Sequence, residues 1–317
     1  MSQPAVASFG GLRGHQRVRE FLRSAVAQQR LPHAMLFTGP DGVGKRSLAG
    51  ALTAWLQCEQ GGDDACGVCA SCVRLASGSH SDVFGLTLAA GKKEIGIDRV
   101  RDLKRFMQLR PVGGRLKMAL IDDAHLLSIA AQNALLKILE EPPAHSFLVL
   151  VTANPDALLP TVRSRCQRVR FGPLPDEVVV DILRRSADLD TEAVRRLARL
   201  AEGSPGHALT LVDCLDGAQP EAWQRHLAAV GQARYVQLAE TARELNSPES
   251  HVLVKLEMIL SQLRDEAVQS VRSVSAPLDR AALRRADAVD AACNLLRRGN
   301  PNRQLLLEAL LLRLAVA

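Results

Sequence analysis

HAMLFTGPDGVGKRSL, residues 33–48, runs from apolar residues through a glycine-rich turn into a helix-forming segment. The apolar run predicts a buried strand over 33–39, and KRSLAGALTAWLQ predicts a helix over 45–57. Between them, Gly39, Gly42, Gly44 and Lys45 follow the spacing G-x-x-x-x-G-K. In such a loop, backbone N–H groups cradle phosphate at a helix N-terminus, and the lysine reaches the β- and γ-phosphates. The next residue is ordinarily Ser or Thr, whose hydroxyl binds Mg²⁺. Here it is Arg46. Ser47 cannot replace that hydroxyl, because one helical residue turns a side chain by about 100°. The stretch therefore fixes a nucleotide-loop fold and questions its chemistry.

Working outward, strands are predicted at 82–90, 117–122, 146–153 and 166–171. Helices are predicted at 97–109, with Asp98 near its start, and at 128–141, capped by Ser128 and ended by Pro142-Pro143. Strands separated by helices imply an α/β fold with a parallel sheet covered on both faces. GPLPD, 172–176, reads as a hinge. Two or three short helices follow to about residue 213, and the remainder reads as helical. The clearest amphipathic segments there are 247–273 and 301–316.

Three further motifs carry chemistry. In LIDDAHLL, 120–127, a strand ends in acids; Asp122 takes the place of a Mg²⁺-holding carboxylate and Asp123 that of the residue polarising water. Asp is one methylene shorter than the usual Glu, so water would be held less well. In TVRSRC, 161–166, Arg165 reads either as an exposed arginine or as a group that stabilises transferring phosphate at a neighbouring site. Cys58, Cys66, Cys69 and Cys72 lie in a glycine-rich loop at spacing C-x7-C-x2-C-x2-C. Four thiolates so close suit tetrahedral Zn²⁺ in a closed, structural site. An iron–sulfur run is the rival, but it would need cysteine where Ala76 stands.

The 317 residues hold no run of about 18 apolar residues, and MSQPAVASFGGLRG lacks the apolar core of a secretion signal. A cytoplasmic protein without a membrane partner is expected. The net charge of +6 is compatible with a polyanionic partner. Arg99, Arg101, Lys104 and Arg105 could meet DNA phosphate, or form a solvated helix face. Aromatic residues make up only 3%, which argues against a platform for stacking single-stranded bases.

Taken together, HAMLFTGPDGVGK, the four cysteines, IDDAHLLSIAAQNALLKILEEPP and SRC, in that order, resemble the AAA+ clamp-loader family over roughly residues 9–206. The resemblance implies a RecA-like P-loop domain over 1–171 with a zinc-binding insert at 58–72, a helical lid over 172–213 and a helical collar over 214–317. It implies a hetero-pentamer with gamma/tau and delta subunits of bacterial DNA polymerase III. That assembly opens a ring-shaped sliding clamp and places it on primed DNA in replication. Hydrolysing members carry Thr or Ser after the loop lysine, Asp-Glu at the strand end and an arginine in a lid G-S-x-R motif. This sequence has Arg46, Asp123 and, in GSPG at 203–206, Gly206. Three departures from one machinery imply a largely non-hydrolysing subunit that donates Arg165 to a neighbour's ATP. Retained Lys45 leaves ATP/Mg²⁺ binding open. The alternatives are an active gamma/tau-like ATPase and a zinc-dependent nucleic-acid-binding module.

Overall fold

In the computed structural model, residues 8–113, 116–187, 189–217, 280–298 and 302–316 are described, with single residues and pairs between 242 and 263. Five strands form one sheet: β1 (Ala34–Thr38), β2 (Val83–Leu86), β3 (Lys117–Ile121), β4 (Ser146–Thr152) and β5 (Gln167–Arg170). Their order is β2-β3-β4-β1-β5, and every neighbouring pair is parallel. The expected α/β class with a covered parallel sheet is borne out.

Period-two alternation divides the central strands between two cores. Leu36, Ile121, Leu148 and Leu150 face Val100, Leu103 and Met107 of α4 (Ile97–Gln108) and Leu135 and Leu139 of α5 (Ile129–Glu140). Met35, Phe37, Val149 and Val151 face the other way. They meet Leu22 of α1 (Gln16–Ala27) and Leu48, Leu52 and Trp55 of α2 (Lys45–Gln57). Both faces are buried, so β1 and β4 read as unbroken apolar runs instead of alternating ones. Ser128 caps α5 as expected, its side chain accepting from the N–H of Ala131 at 3.2 Å.

Two local readings need correction. β2 stops at Leu86, well short of residue 90, because its only ladder partner, β3, ends at Ile121, opposite Leu86. The cysteine stretch is not all loop. Ala70–Ala76 forms α3, with Cys69 as its N-cap and Cys72 within it. Helix α1 went unforeseen, although Val18, Leu22, Ala25 and Val26 recur at helical spacing.

The chain divides into two compact units, residues 1–182 with 202–206 and residues 183–201 with 207–317. The remaining helices are α6 (Pro160–Arg163), α7 (Asp176–Ser186), α8 (Thr191–Leu200), α9 (Pro205–Gly217), α10 (Arg280–Arg298) and α11 (Arg303–Val316). α11 realises the amphipathic segment expected at 301–316. A core in the second unit joins Val289, Ala292 and Cys293 of α10 to Leu307, Leu310, Leu311 and Leu314 of α11. Leu256, Ile259 and Leu260 enter the same core. Most of the amphipathic segment expected at 247–273, and the helical readings at 218–241 and 274–279, lie outside the described residues.

Candidate nucleotide site and cysteine centre

The strand order sets β4 between β3 and β1, so the loop after β1 and the acids after β3 emerge at one end of the sheet. Ligands of open parallel sheets sit at this carboxyl end. Gly39 adopts φ 153°, and a Cβ there would lie 2.2 Å from the Phe171 carbonyl oxygen. The chain leaving β5 therefore requires glycine at this point. Gly42 and Gly44 also adopt positive φ, at 72° and 101°. Lys45 is buried, and its Nζ donates to the carbonyl oxygens of Gly39 at 2.7 Å and Pro40 at 2.5 Å. Burial lowers its pKa, against the opposing pull of Asp41, Asp122 and Asp123.

Arg46 does more than lack a hydroxyl. Its Nη1 lies 2.9 Å from Oδ2 of Asp122, the carboxylate at the metal-holding position. A guanidinium thus pairs with the acid expected from the sequence to hold Mg²⁺. Asp123 stands in the left-handed region at φ 47°. Burial, then the neighbouring Asp122 charge, raises its pKa. The turn at 202–206 closes on the same loop: Gly206 N–H donates to the Gly42 carbonyl at 2.9 Å, and Ser204 Oγ donates to the Asp41 carbonyl at 2.8 Å. A Cβ at residue 206 would stand 2.7 Å from Gly42 Cα, so this backbone contact requires glycine.

Two neighbours of this site were missed from sequence. Thr152 ends β4 between the loop and the acids; it is fully buried, and its Oγ1 lies 3.3 Å from Nδ1 of His125. Its signal was a polar residue closing the apolar run SFLVLVT. His15 places Nε2 2.8 Å from the Val43 carbonyl and packs edge-on against Phe171. Burial lowers its pKa, against the hydrogen bond to Val43. No periodicity announces a lone histidine.

Arg165 lies elsewhere. β5 pairs with β1 in a register that sets Gln167 beside Met35, so Arg165 precedes both strands while the phosphate loop follows β1. The length of β1 separates them, roughly 15 Å at about 3.3 Å per residue. Arg165 Nη2 is 2.8 Å from Glu140 Oε1, and Nη1 donates to the Thr161 carbonyl at 3.0 Å.

The four cysteine sulfurs of Cys58, Cys66, Cys69 and Cys72 lie within 4.8 Å of one another. Tetrahedral sulfurs about 2.3 Å from Zn²⁺ stand roughly 3.8 Å apart, so the cluster fits a divalent ion of that size. Backbone N–H groups of Cys66, Cys69 and Cys72 point at sulfurs of Cys58, Cys66 and Cys69, at 3.3–3.5 Å. Against the cost of burial, N–H groups of Cys72 and Glu59 bring the Cys69 thiol down to about 6. Burial pushes Cys72 up to about 12. Four thiolates this close repel; a central dication would allow all four to ionise.

The insert is tied to the core by polar contacts. Asp64 accepts from the N–H groups of Phe9 and Gly10. His80 Nδ1 accepts from the Asp82 N–H, so Nε2 carries its proton and donates to Ser71 Oγ, which donates to the Gln57 carbonyl. On α4, Arg101 and Arg105 pair with Asp98 and Asp102 of the same helix. Half of the proposed basic face is thereby neutralised locally.

A family model described as DNA polymerase III, delta subunit, matches residues 14–175. The chain belongs to that clamp-loader family. Its fold is an α/β core with a parallel five-stranded sheet, followed by a helical C-terminal region. It is 39% identical over 180 residues to the DNA polymerase III subunit delta′ of Escherichia coli, covering 56% of this chain and 54% of that protein. The delta′ of Pseudomonas aeruginosa is 42% identical over 177 residues, covering 55% and 53%. The tau subunit of Bacillus subtilis is 35% identical over 206 residues, covering 63% and 36%. The chain thus spans about half the length of these delta′ relatives and about a third of that tau subunit. A gamma-subunit-related protein from Thermotoga maritima superposes with a TM-score of 0.49 at 18% identity, covering 94% of this chain and 98% of that one. Among the described residues, no helix is long and apolar enough to cross a membrane.

Proposed function

We propose that this family member acts as a delta′-type clamp-loader subunit: it hydrolyses little or no ATP itself and donates Arg165 to the ATP site of an adjacent subunit. The observation that carries the reading is the Arg46–Asp122 ion pair. Hydrolysis needs Mg²⁺ to neutralise charge between the β- and γ-phosphates. A guanidinium paired with the carboxylate proposed to hold the metal opposes that, and Asp123 and Gly206 depart from the hydrolysing pattern at the same site. Arg165, about one strand length from this loop, is poorly placed to serve its own chain, which supports a role toward an adjacent one.

In this reading the chain assembles with gamma/tau and delta subunits into a cytoplasmic hetero-pentamer that loads the sliding clamp on primed DNA. Residues 1–171 are the nucleotide-type domain, 172–213 the lid and 214–317 the collar through which the subunits associate. The four cysteines hold one structural Zn²⁺, supported by their sulfur spacing. They leave no open coordination position, so the ion stabilises the insert and takes no part in chemistry.

The likeness to tau at 35% identity favours a second reading, an active gamma/tau-type ATPase. Hydrolysis by the isolated full chain separates the two. The delta′ reading expects turnover no greater in the wild type than in Lys45→Ala, and no gain in Arg46→Thr, since Asp123 and Gly206 remain. Turnover comparable to a gamma/tau subunit, abolished by Lys45→Ala, would contradict it.

A further inference from the structure

Helix α5 ends in Glu140, followed by Glu141 and two prolines. Carboxylates at a helix C-terminus are unfavourable, because the last carbonyls already present negative charge there. Glu140 therefore needs a cation, and the fold supplies Arg165 from the start of β5. The Nη2–Oε1 distance of 2.8 Å lies in the range of a charge-assisted hydrogen bond. The Thr161 carbonyl, on α6, holds the second terminal nitrogen at 3.0 Å.

We infer that Glu140 is a positioning residue for Arg165: with Thr161 O it fixes the guanidinium plane before a neighbouring nucleotide arrives. Two acceptors on two different nitrogens define the orientation of a planar group. They engage two of its five N–H donors and leave the others for phosphate oxygens. The prolines after Glu141 stop the helix, so the carboxylate stands on a fixed stem. Catalytic groups gain from being held in place by their support, and small misplacements are costly. This inference rests on the reading of Arg165 as acting on an adjacent ATP.

The test uses a reconstituted clamp loader containing the full chain, with clamp- and DNA-stimulated ATP hydrolysis as readout. Four forms are compared with wild type: Arg165→Ala, Glu140→Ala, Glu140→Gln and the double alanine variant. Glu140→Ala should lower the Arg165-dependent part of kcat roughly tenfold with little change in KM. Glu140→Gln keeps an acceptor oxygen and should recover much of that loss. The double variant should be no slower than Arg165→Ala, and melting of the isolated chain should not move. A wild-type rate in Glu140→Ala beside a damaged Arg165→Ala overturns the positioning role and spares the reading of Arg165. A faster Glu140→Ala makes the carboxylate a restraint and also overturns the role, as does an effect additive with Arg165→Ala. A silent Arg165→Ala overturns the underlying reading itself.

Discussion

At the residue scale, a charge can be satisfied in two quite different ways in this fold. Arg46 and Asp122 meet at the rim of the nucleotide loop, where Arg46 is exposed and the pair adds little to stability. In the proposed reading its consequence is chemical, since it takes up the carboxylate that would hold Mg²⁺. Asp82 and Lys117 form the opposite kind of pair, buried at 1% and 3% exposure and 2.9 Å apart. Asp82 also accepts from the N–H groups of Val112 and Gly113, and Lys117 lies over the Phe106 ring. Burial works to raise the Asp82 pKa, but the N–H groups of Gly113 and Val112, and then Lys117, outweigh it and hold the carboxyl below its usual range. Stability from this carboxylate is therefore complete above the ordinary unfolded value, near 4, and is lost as pH falls through the lower folded value. Asp82→Asn leaves a buried ammonium without its charge partner and should cost about 3–5 kcal/mol. Chemical denaturation from neutral pH down to pH 2 checks both points. The wild type should lose part of its stability below about pH 4, and the variant should lack that part. Equal stability of the two at neutral pH would contradict the assignment.

At the element scale, the cysteine insert is a short helix and a turn with few apolar residues of its own, so it depends on cross-links to hold its shape. Ser71, His80 and Asp64 supply polar ties, and in the proposed reading a Zn²⁺ held by the four cysteines would supply the strongest one. Purified chain should carry one Zn²⁺, measured by elemental analysis. Chelation should lower the first melting transition and expose four reactive thiols, while the sheet persists. Iron in place of zinc, or fully stable metal-free protein, would contradict this account. The cysteine spacing made the ligand set legible from sequence alone. It did not show that Cys72 sits on a helix, since Ala70–Ala76 is too short to display a clear hydrophobic period. The phosphate loop, the strand-end acids and the cap at Ser128 were legible because each requires particular residue types at fixed positions. Thr152 and His15 were not, because their placement depends on which distant segments pack beside the loop. The Arg46–Asp122 pair joins residues 76 apart in sequence and becomes visible only once β1 and β3 are set on either side of β4.

At the scale of the whole molecule, the sheet separates two sites that sequence places in one motif series. The loop, Arg46 and Asp122 gather at the carboxyl end of the strands; Arg165, Glu140 and Thr161 gather at the other. In the proposed delta′ reading, this separation sets a non-hydrolysing loop at one end and an arginine for an adjacent subunit at the other, which would suit a member of a ring whose ATP sites lie between subunits. An arginine acting in trans is worth about 10³–10⁵ in rate at the site it serves. Lysine cannot copy its planar fork, so Arg165→Lys should be nearly as harmful as Arg165→Ala. The most direct measurement is clamp loading and stimulated ATP hydrolysis by a reconstituted loader, with complete assembly verified, containing wild type, Arg165→Ala or Arg165→Lys. The account predicts intact assembly, a partial fall in total hydrolysis, because only one of several sites depends on this arginine, and a larger fall in clamp loading. Unchanged hydrolysis and unchanged loading with Arg165→Ala would contradict it.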